Sequence, residues 1–184
     1  LRVITGSAKG RKLKTPKGLR IRPTSDRIKE SIFNIIGDIK DDDIVLDLFS
    51  GTGSMGIEFL SRGAKKCFFI DNHIDSIKII KENLINTKLI DKANIYKNNS
   101  KNAIAILGRK NVKFKYIFLD PPYNEELIMP VLKEIDRHAL LKQDSGVIVE
   151  HESKLSLPDF VGNIYKIDSR RYGDTGVSFF KLKC

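Results

Sequence analysis

The chain has 184 residues, 41% of them hydrophobic and 30% charged, with 13 glycines and 6 prolines. That is the composition of one compact globular domain whose core needs no disulfide or metal staple. No apolar run approaches the roughly 18 residues needed to cross a bilayer, and no apolar segment follows the basic N-terminus, so neither a membrane span nor a secretory signal is expected.

The net charge of +10 is unevenly spread: residues 1–40 hold eleven Lys and Arg against three acids, while the other 144 residues carry 22 bases and 20 acids. A near-neutral body with a basic head is the pattern of a protein that meets a polyanion on one face. A solvated basic surface is the plainer alternative. An anionic membrane fits less well, because the head alternates with Gly, Pro and Thr and forms no long amphipathic helix. Cys67 lies in the apolar run Cys67-Phe68-Phe69-Ile70 and reads as a buried free thiol, and with only Cys184 besides it a reducing, cytoplasmic setting is expected. The chain opens on Leu1 rather than Met, so the loss of a residue or two ahead of it is expected.

In chain order, Arg2-Val3-Ile4-Thr5 and Arg11-Lys12-Leu13-Lys14 read as a short hairpin joined through Gly6 to Gly10, followed by an extended stretch through Pro16, Gly18 and Pro23. Thr24 or Ser25 caps a predicted helix with Ile28, Ile32, Ile35 and Ile36 on one side, ended by Gly37. After Asp41-Asp42-Asp43, short apolar strands alternate with helical segments. Strands are predicted at 44–49, 66–71, 93–97, 116–120 and 146–150, with helices from Ser54, over 74–86, over 101–107 and up to about Ala139. Segments 164–168 and 177–182 read as a closing antiparallel hairpin. Continuous apolar strands separated by helices indicate an α/β fold, a mostly parallel seven-stranded sheet covered on both faces with an antiparallel C-terminal strand. Residues 1–40 form the basic extension and 41–184 the main domain.

Ligands of such sheets bind beyond the carboxyl ends of the strands. At the first of these ends, Asp47-Leu48-Phe49-Ser50-Gly51-Thr52-Gly53-Ser54-Met55-Gly56 contains a G-x-G-x-x-G. Alone that is a weak signal, but its place after a strand and before a helix suits a backbone that must turn sharply and approach a ligand. Asp71 follows Gly51 by 20 residues, at the end of the next strand, where a carboxylate accepts the hydroxyls of a ribose. A nucleoside cofactor is implied, either a dinucleotide or S-adenosylmethionine. Asp47 would repel a pyrophosphate, whereas the ammonium and sulfonium of S-adenosylmethionine suit an acid there, so the second is favoured. A loop or helix cap is the plainer role for Asp47. Phe49, Gly51 and Gly53 join the candidate cofactor residues. Asn99, two residues past the third strand, is placed to meet an adenine edge, with a turn residue as the alternative.

The most specific string is Asp120-Pro121-Pro122-Tyr123 after the apolar Tyr116-Ile117-Phe118-Leu119. Two prolines remove two N–H donors and keep the chain extended, leaving carbonyls to face whatever docks there. An exocyclic amino group on a nucleobase is planar and a poor nucleophile. The Asp120 carboxylate and the Pro121 carbonyl can each take one of its hydrogens and free its lone pair, while Tyr123 offers a ring for an extruded base. A proline-stiffened turn is the bland alternative.

These residues resemble class I S-adenosylmethionine-dependent methyltransferases that act on amino groups. More narrowly, Arg2-Val3-Ile4-Thr5-Gly6 with Gly10-Arg11-Lys12-Leu13, Arg22-Pro23-Thr24-Ser25-Asp26-Arg27 and Glu30-Ser31-Ile32-Phe33-Asn34 resemble the RsmD family of 16S rRNA (guanine-N2)-methyltransferases. The likeness covers nearly the whole chain, with Asp71 standing where Glu is common in that family. It implies a Rossmann-like fold, 16S rRNA within the small ribosomal subunit as partner, a monomer without membrane or metal, and RNA contact through Arg2, Arg11, Lys12, Lys14, Arg22 and Arg27. His73, His138 and His151 are scattered, no P-loop pattern occurs, and Ser54 lacks the nucleophile-elbow pattern. Two alternatives stay open: a DNA adenine-N6 methyltransferase, which usually needs a further recognition region, and a non-catalytic RNA-binding or assembly factor on the same fold.

Overall fold

A computed structural model of the chain describes residues 1–15, 24–122 and 125–183. The chain divides into two compact units, Leu1–Lys97 and Asn98–Cys184. The first contains the head, helix α1 (Asp26–Ile36), strand β1 (Ile44–Asp47), α2 (Ser54–Ser61), β2 (Lys66–Asp71), α3 (Ile74–Thr87) and β3 (Ala93–Lys97). The second contains α4 (Ser100–Arg109), β4 (Phe114–Leu119), α5 (Ile128–Arg137), β5 (Leu141–Glu152), β6 (Phe160–Val161), β7 (Ile164–Tyr172) and β8 (Thr175–Leu182).

Within the first unit the strands run in the order β3-β2-β1, all parallel, with Leu46 paired to Phe68 and Phe69 to Ile95. Residues pointing to both faces are buried: Val45 and Leu46 on β1, Phe69 and Ile70 on β2, against Ile57 and Leu60 of α2 and Ile80 and Leu84 of α3. Burial pushes the Cys67 thiol pKa well up, as expected of an inert core cysteine. Cys184 lies outside the described residues.

The second unit has the order β4-β5-β8-β7-β6. Only β4 and β5 are parallel; β8, β7 and β6 add on as antiparallel strands. The described residues therefore hold eight strands, not the seven expected. The additional β6 is two residues long, too short to carry a periodic signal, and pairs only with β7. Strand β5 begins five residues earlier than expected, at Leu141, which pairs with Phe114; Gly146 pairs with Tyr116, so the polar Lys142 to Ser145 stretch between them, with Asp144 at φ 56°, bulges out of the ladder.

Helix α1 starts as the sequence indicates. The Ser25 hydroxyl accepts from the Ile28 amide at 3.3 Å and Gly37, at φ 76°, closes the far end. Its buried side is rotated from the expectation: Ile28, Lys29, Ile32 and Phe33 face inward while Ile35 and Ile36 are half-buried. Phe33 meets Phe59 of α2 edge-on at 4.7 Å, and the Arg62 guanidinium lies 4.0 Å over the Phe33 ring.

The head is a hairpin with one ladder bridge, Arg2 to Lys12. Its Val3, Lys9, Gly10, Arg11 and Leu13 amides bond within the hairpin, and those of Ile4, Thr5, Ser7, Ala8 and Lys14 are satisfied by the body of the first unit. Glu58 of α2, fully buried, accepts from the Ile4 and Thr5 amides at 2.8 and 3.0 Å and from Arg62 Nε at 2.9 Å. The Lys29 ammonium, also fully buried, lies 3.9 Å from the same carboxylate; burial lowers its pKa and Glu58 opposes that shift. Ser61 Oγ accepts from the Ala8 amide at 3.0 Å and donates to the Thr5 carbonyl at 2.6 Å. Gly6 is obligatory here, with φ at 88° and a position where a Cβ would fall 1.8 Å from the Ser61 carbonyl oxygen.

Removing a buried, paired carboxylate leaves its partners uncompensated. Glu58→Ala is expected to cost about 3–5 kcal/mol of unfolding free energy, and Glu58→Gln, whose single oxygen can accept from only one of the Ile4 and Thr5 amides, a smaller but still clear loss. Urea unfolding of the two variants at one pH checks this.

Candidate cofactor loop and strand-end site

The loop after β1 is built by its own polar groups. Ser50, buried, donates from Oγ to the Asp47 carbonyl at 2.7 Å and accepts from the Ile70 amide at 3.0 Å, pinning the loop to β2. Gly51 and Gly53 both have positive φ, 53° and 76°, and a Cβ on Gly53 would sit 3.2 Å from Ile80 Cγ1. The turn closes with the Gly53 amide on the Ser50 carbonyl at 2.6 Å, and Gly53 is the N-cap of α2. Phe49 is half-buried beside it.

Asp47 is 2% exposed and accepts from the Gly56 amide at 2.9 Å, across the first turn of α2. Asp71 Oδ2 accepts from the Gly51 amide at 2.8 Å and Oδ1 from the His73 amide at 2.9 Å. A carboxylate has about four acceptor sites, so each oxygen keeps capacity for a ribose hydroxyl while holding the loop. The arrangement fits S-adenosylmethionine: a glycine turn open to close approach, a diol-binding acid at the end of β2, and no cationic side chain in the loop to attract a phosphate.

In the second unit, Asn99 is the N-cap of α4, its side-chain oxygen accepting from the Asn102 amide at 2.8 Å. That is the turn-type role weighed against adenine contact. Asp120 is the first residue beyond β4, whose last residue Leu119 pairs with Val149. Asp120 and Pro121 are half-buried and Pro122 is exposed. Tyr123 lies outside the described residues.

Of the basic head residues, three make contacts within the first unit: Arg2 Nε to Asp26 at 2.9 Å, Arg11 Nη1 to the Asn86 carbonyl at 2.8 Å, and Lys14 Nζ to Glu82 at 3.0 Å. Their side chains stay on the surface, Arg2 and Lys14 being 63% and 70% exposed. Lys12 and Arg27 are exposed, and Arg22 lies outside the described residues. Sequence reasoning missed Ser50, Glu58 and Asn83. The position of Ser50, directly before Gly51, is the one local signal among them; the partners of the other two are remote in sequence. Among the described residues, no group of three or more His, Cys, Asp or Glu is placed to hold a metal, and no helix is long and apolar enough to cross a membrane.

The glycine loop, the acid of β2 and the doubly wound order of strands and helices define a class I S-adenosylmethionine-dependent methyltransferase. The chain belongs to the family described as "Conserved hypothetical protein 95", whose model matches residues 1–181. It is 41% identical to "Putative rRNA methyltransferase YlbH" of Bacillus subtilis, over all of both chains. It is 30% identical to "Ribosomal RNA small subunit methyltransferase D" of Escherichia coli, over 89% of this chain and 80% of that one. Its structure is similar to that of the "Putative methyltransferase yhhF" of Escherichia coli, with a TM-score of 0.88 and 26% identity over 100% of this chain and 98% of the other.

Burial raises the Asp47 pKa to about 7, the Gly56 amide opposes the shift and the Asp71 charge adds to it. A carboxyl raised in the folded state favours folding while protonated. Its contribution is fully present below the unfolded value of 3.8 and is lost as pH rises through about 7. Asp47→Asn, which keeps an acceptor for Gly56, is therefore expected to gain stability relative to the parent between pH 5 and pH 8. Urea midpoints of both proteins at those two pH values test the difference.

Proposed function

We propose that this protein transfers a methyl group from S-adenosylmethionine to the exocyclic N2 amino group of a guanine in small-subunit (16S) rRNA, acting as a cytoplasmic monomer on RNA of the small ribosomal subunit. The observation that carries the chemistry is the Asp120-Pro121-Pro122 strand end in a chain that also has the Asp47 to Gly56 loop and Asp71. A protein that only bound RNA has no physical need for all three. The substrate class follows from the relative named for the small-subunit RNA and from the basic head.

In this reading Asp71 holds the ribose diol, and Gly51, Gly53 and Phe49 shape the loop around the cofactor. Asp47 supports the loop through Gly56 and lends negative charge. Asn99 offers its amide to the adenine edge. When bound, S-adenosylmethionine supplies an electrophilic methyl carried on a sulfonium. The Asp120 carboxylate and the Pro121 carbonyl each accept one hydrogen of the guanine amino group, which draws the nitrogen from planarity and localises its lone pair. The new N–C bond forms as the C–S bond breaks and its electron pair returns to sulfur. The proton then leaves the nitrogen for Asp120 or water. Tyr123 stacks the extruded base. Residues 1–40 dock the RNA through Arg2, Arg11, Lys12, Lys14, Arg22 and Arg27, and Pro122 keeps the chain after Pro121 extended.

Mass mapping of methylated nucleosides in small-subunit rRNA from cells with and without the protein tests the reading; an unchanged N2-methylguanosine pattern would refute it. Asp120→Ala is expected to bind cofactor and RNA and yet slow single-turnover transfer by roughly 10²- to 10⁴-fold. Replacing Arg11, Lys12 and Lys14 together by Ser should weaken RNA binding and flatten its salt dependence, by up to roughly 0.9 in the log-log slope for each phosphate that the variant leaves unneutralised. Filter binding over a salt series reads that slope.

A further inference from the structure

Both arms of the head hairpin are tied to the cofactor-loop segment, and by different side chains. On the second arm, Asn83 of α3 is fully buried. Its Oδ1 accepts from the Lys14 amide at 2.7 Å, and its Nδ2 donates to the Lys14 carbonyl at 3.1 Å and to the Thr52 carbonyl at 3.0 Å. One side-chain amide thus pairs with the head as a neighbouring strand would, and its remaining hydrogen holds the loop between Gly51 and Gly53. On the first arm, Lys29 of α1 donates to the Arg2 carbonyl at 2.5 Å and to Ser54 Oγ at 3.3 Å. Ser54 follows Gly53 directly and begins α2. Asn86 Nδ2 also donates to the head, to the Lys12 carbonyl at 2.9 Å, without reaching the loop.

We infer that Asn83 and Lys29 are positioning residues that make the head and the cofactor loop one mechanical piece, so that RNA on the head and cofactor on the loop strengthen each other's binding. The inference rests on the reading of the head as the RNA-docking element. The Asn83 amide cannot keep all three bonds if Lys14 moves relative to Thr52, and a buried amide that loses a partner is costly. RNA that holds Lys12 and Lys14 in their docked register therefore also holds the Thr52 carbonyl, and the ordering is paid once for two ligands. Linkage then requires that each ligand raise the affinity of the other by the same factor.

The test is calorimetric titration of S-adenosylhomocysteine into the full chain, with and without a saturating small-subunit rRNA fragment. The expected result is an affinity at least roughly fivefold tighter with RNA present, matched by an equal tightening of RNA by the cofactor product. Asn83→Ala should bring this factor close to one, while Asn86→Ala, which cuts a head contact that does not reach the loop, should keep it. Should Asn83→Ala fail to fold, Ser54→Ala severs the Lys29 bridge alone and must lower the factor. A factor of one in the unmodified protein overturns the inference, as does an unchanged factor in Ser54→Ala and in folded Asn83→Ala. If RNA binds but shows no linkage, the RNA reading survives and this one does not; if the RNA fragment does not bind at all, both fall.

Discussion

A carboxylate with no access to water holds the head hairpin to the rest of the first unit. Glu58 receives two amides of the head, the Arg62 guanidinium and the nearby Lys29 ammonium, all within 4 Å. A carboxylate buried to this degree is offset by the three hydrogen bonds it accepts and the cationic groups beside it. The consequence is that the head hairpin, with one ladder bridge of its own, needs no sheet to stabilise it. Four of its amides, those of Ile4, Thr5, Ala8 and Lys14, are completed by side chains of α2 and α3 while others bond within the hairpin, and Arg2 and Lys12 are thereby held at fixed places on the surface. Helix α1 contributes through Lys29 and through Phe33, whose ring sits between Phe59 and Arg62.

The cofactor loop follows the same economy of groups. The two carboxylates assigned to the cofactor first serve the backbone: Asp47 ties the start of α2 to the end of β1, and Asp71 ties Gly51 to the turn after β2. A variant that removes the acceptor at either position, such as alanine, therefore loosens the loop itself. Asp120 stands past the end of β4, a strand held by the pairing of Phe114 to Leu119 with β5.

What could be read from the chain alone divides along range in sequence. The capped start of α1, the strand, glycine turn and helix from Ile44 to Ser61, and the strand running into Asp120 depend on neighbours a few residues apart, and each lies where periodicity and turn residues put it. Strand β6 escaped because two residues carry no period. Asn83 and Glu58 escaped for a different reason. On a helix they read as ordinary polar residues, and their partners on the head hairpin lie 53 to 69 residues away. Arg11 and Lys14 were legible as basic surface, but their partial use by Asn86 and Glu82 of α3 depends on how the head docks, which no local pattern encodes. The membership of the chain in its family bridges that gap, because the resemblance of the head motifs carries information about docking that the residues taken singly do not.

The contact of Gly6 with Ser61 has an evolutionary consequence. With the backbone in the left-handed region and the Ser61 carbonyl occupying the place of a side chain, no other amino acid fits position 6 without lifting the head from α2. Selection on position 6, and on the hydroxyl at 61 that meets the Thr5 carbonyl and the Ala8 amide, would act through architecture alone. Invariance at these sites among related sequences would therefore rival that of the residues around the reacting atoms. A ranking of positions by invariance would not separate the two, whereas the distinction is visible in what each side chain touches.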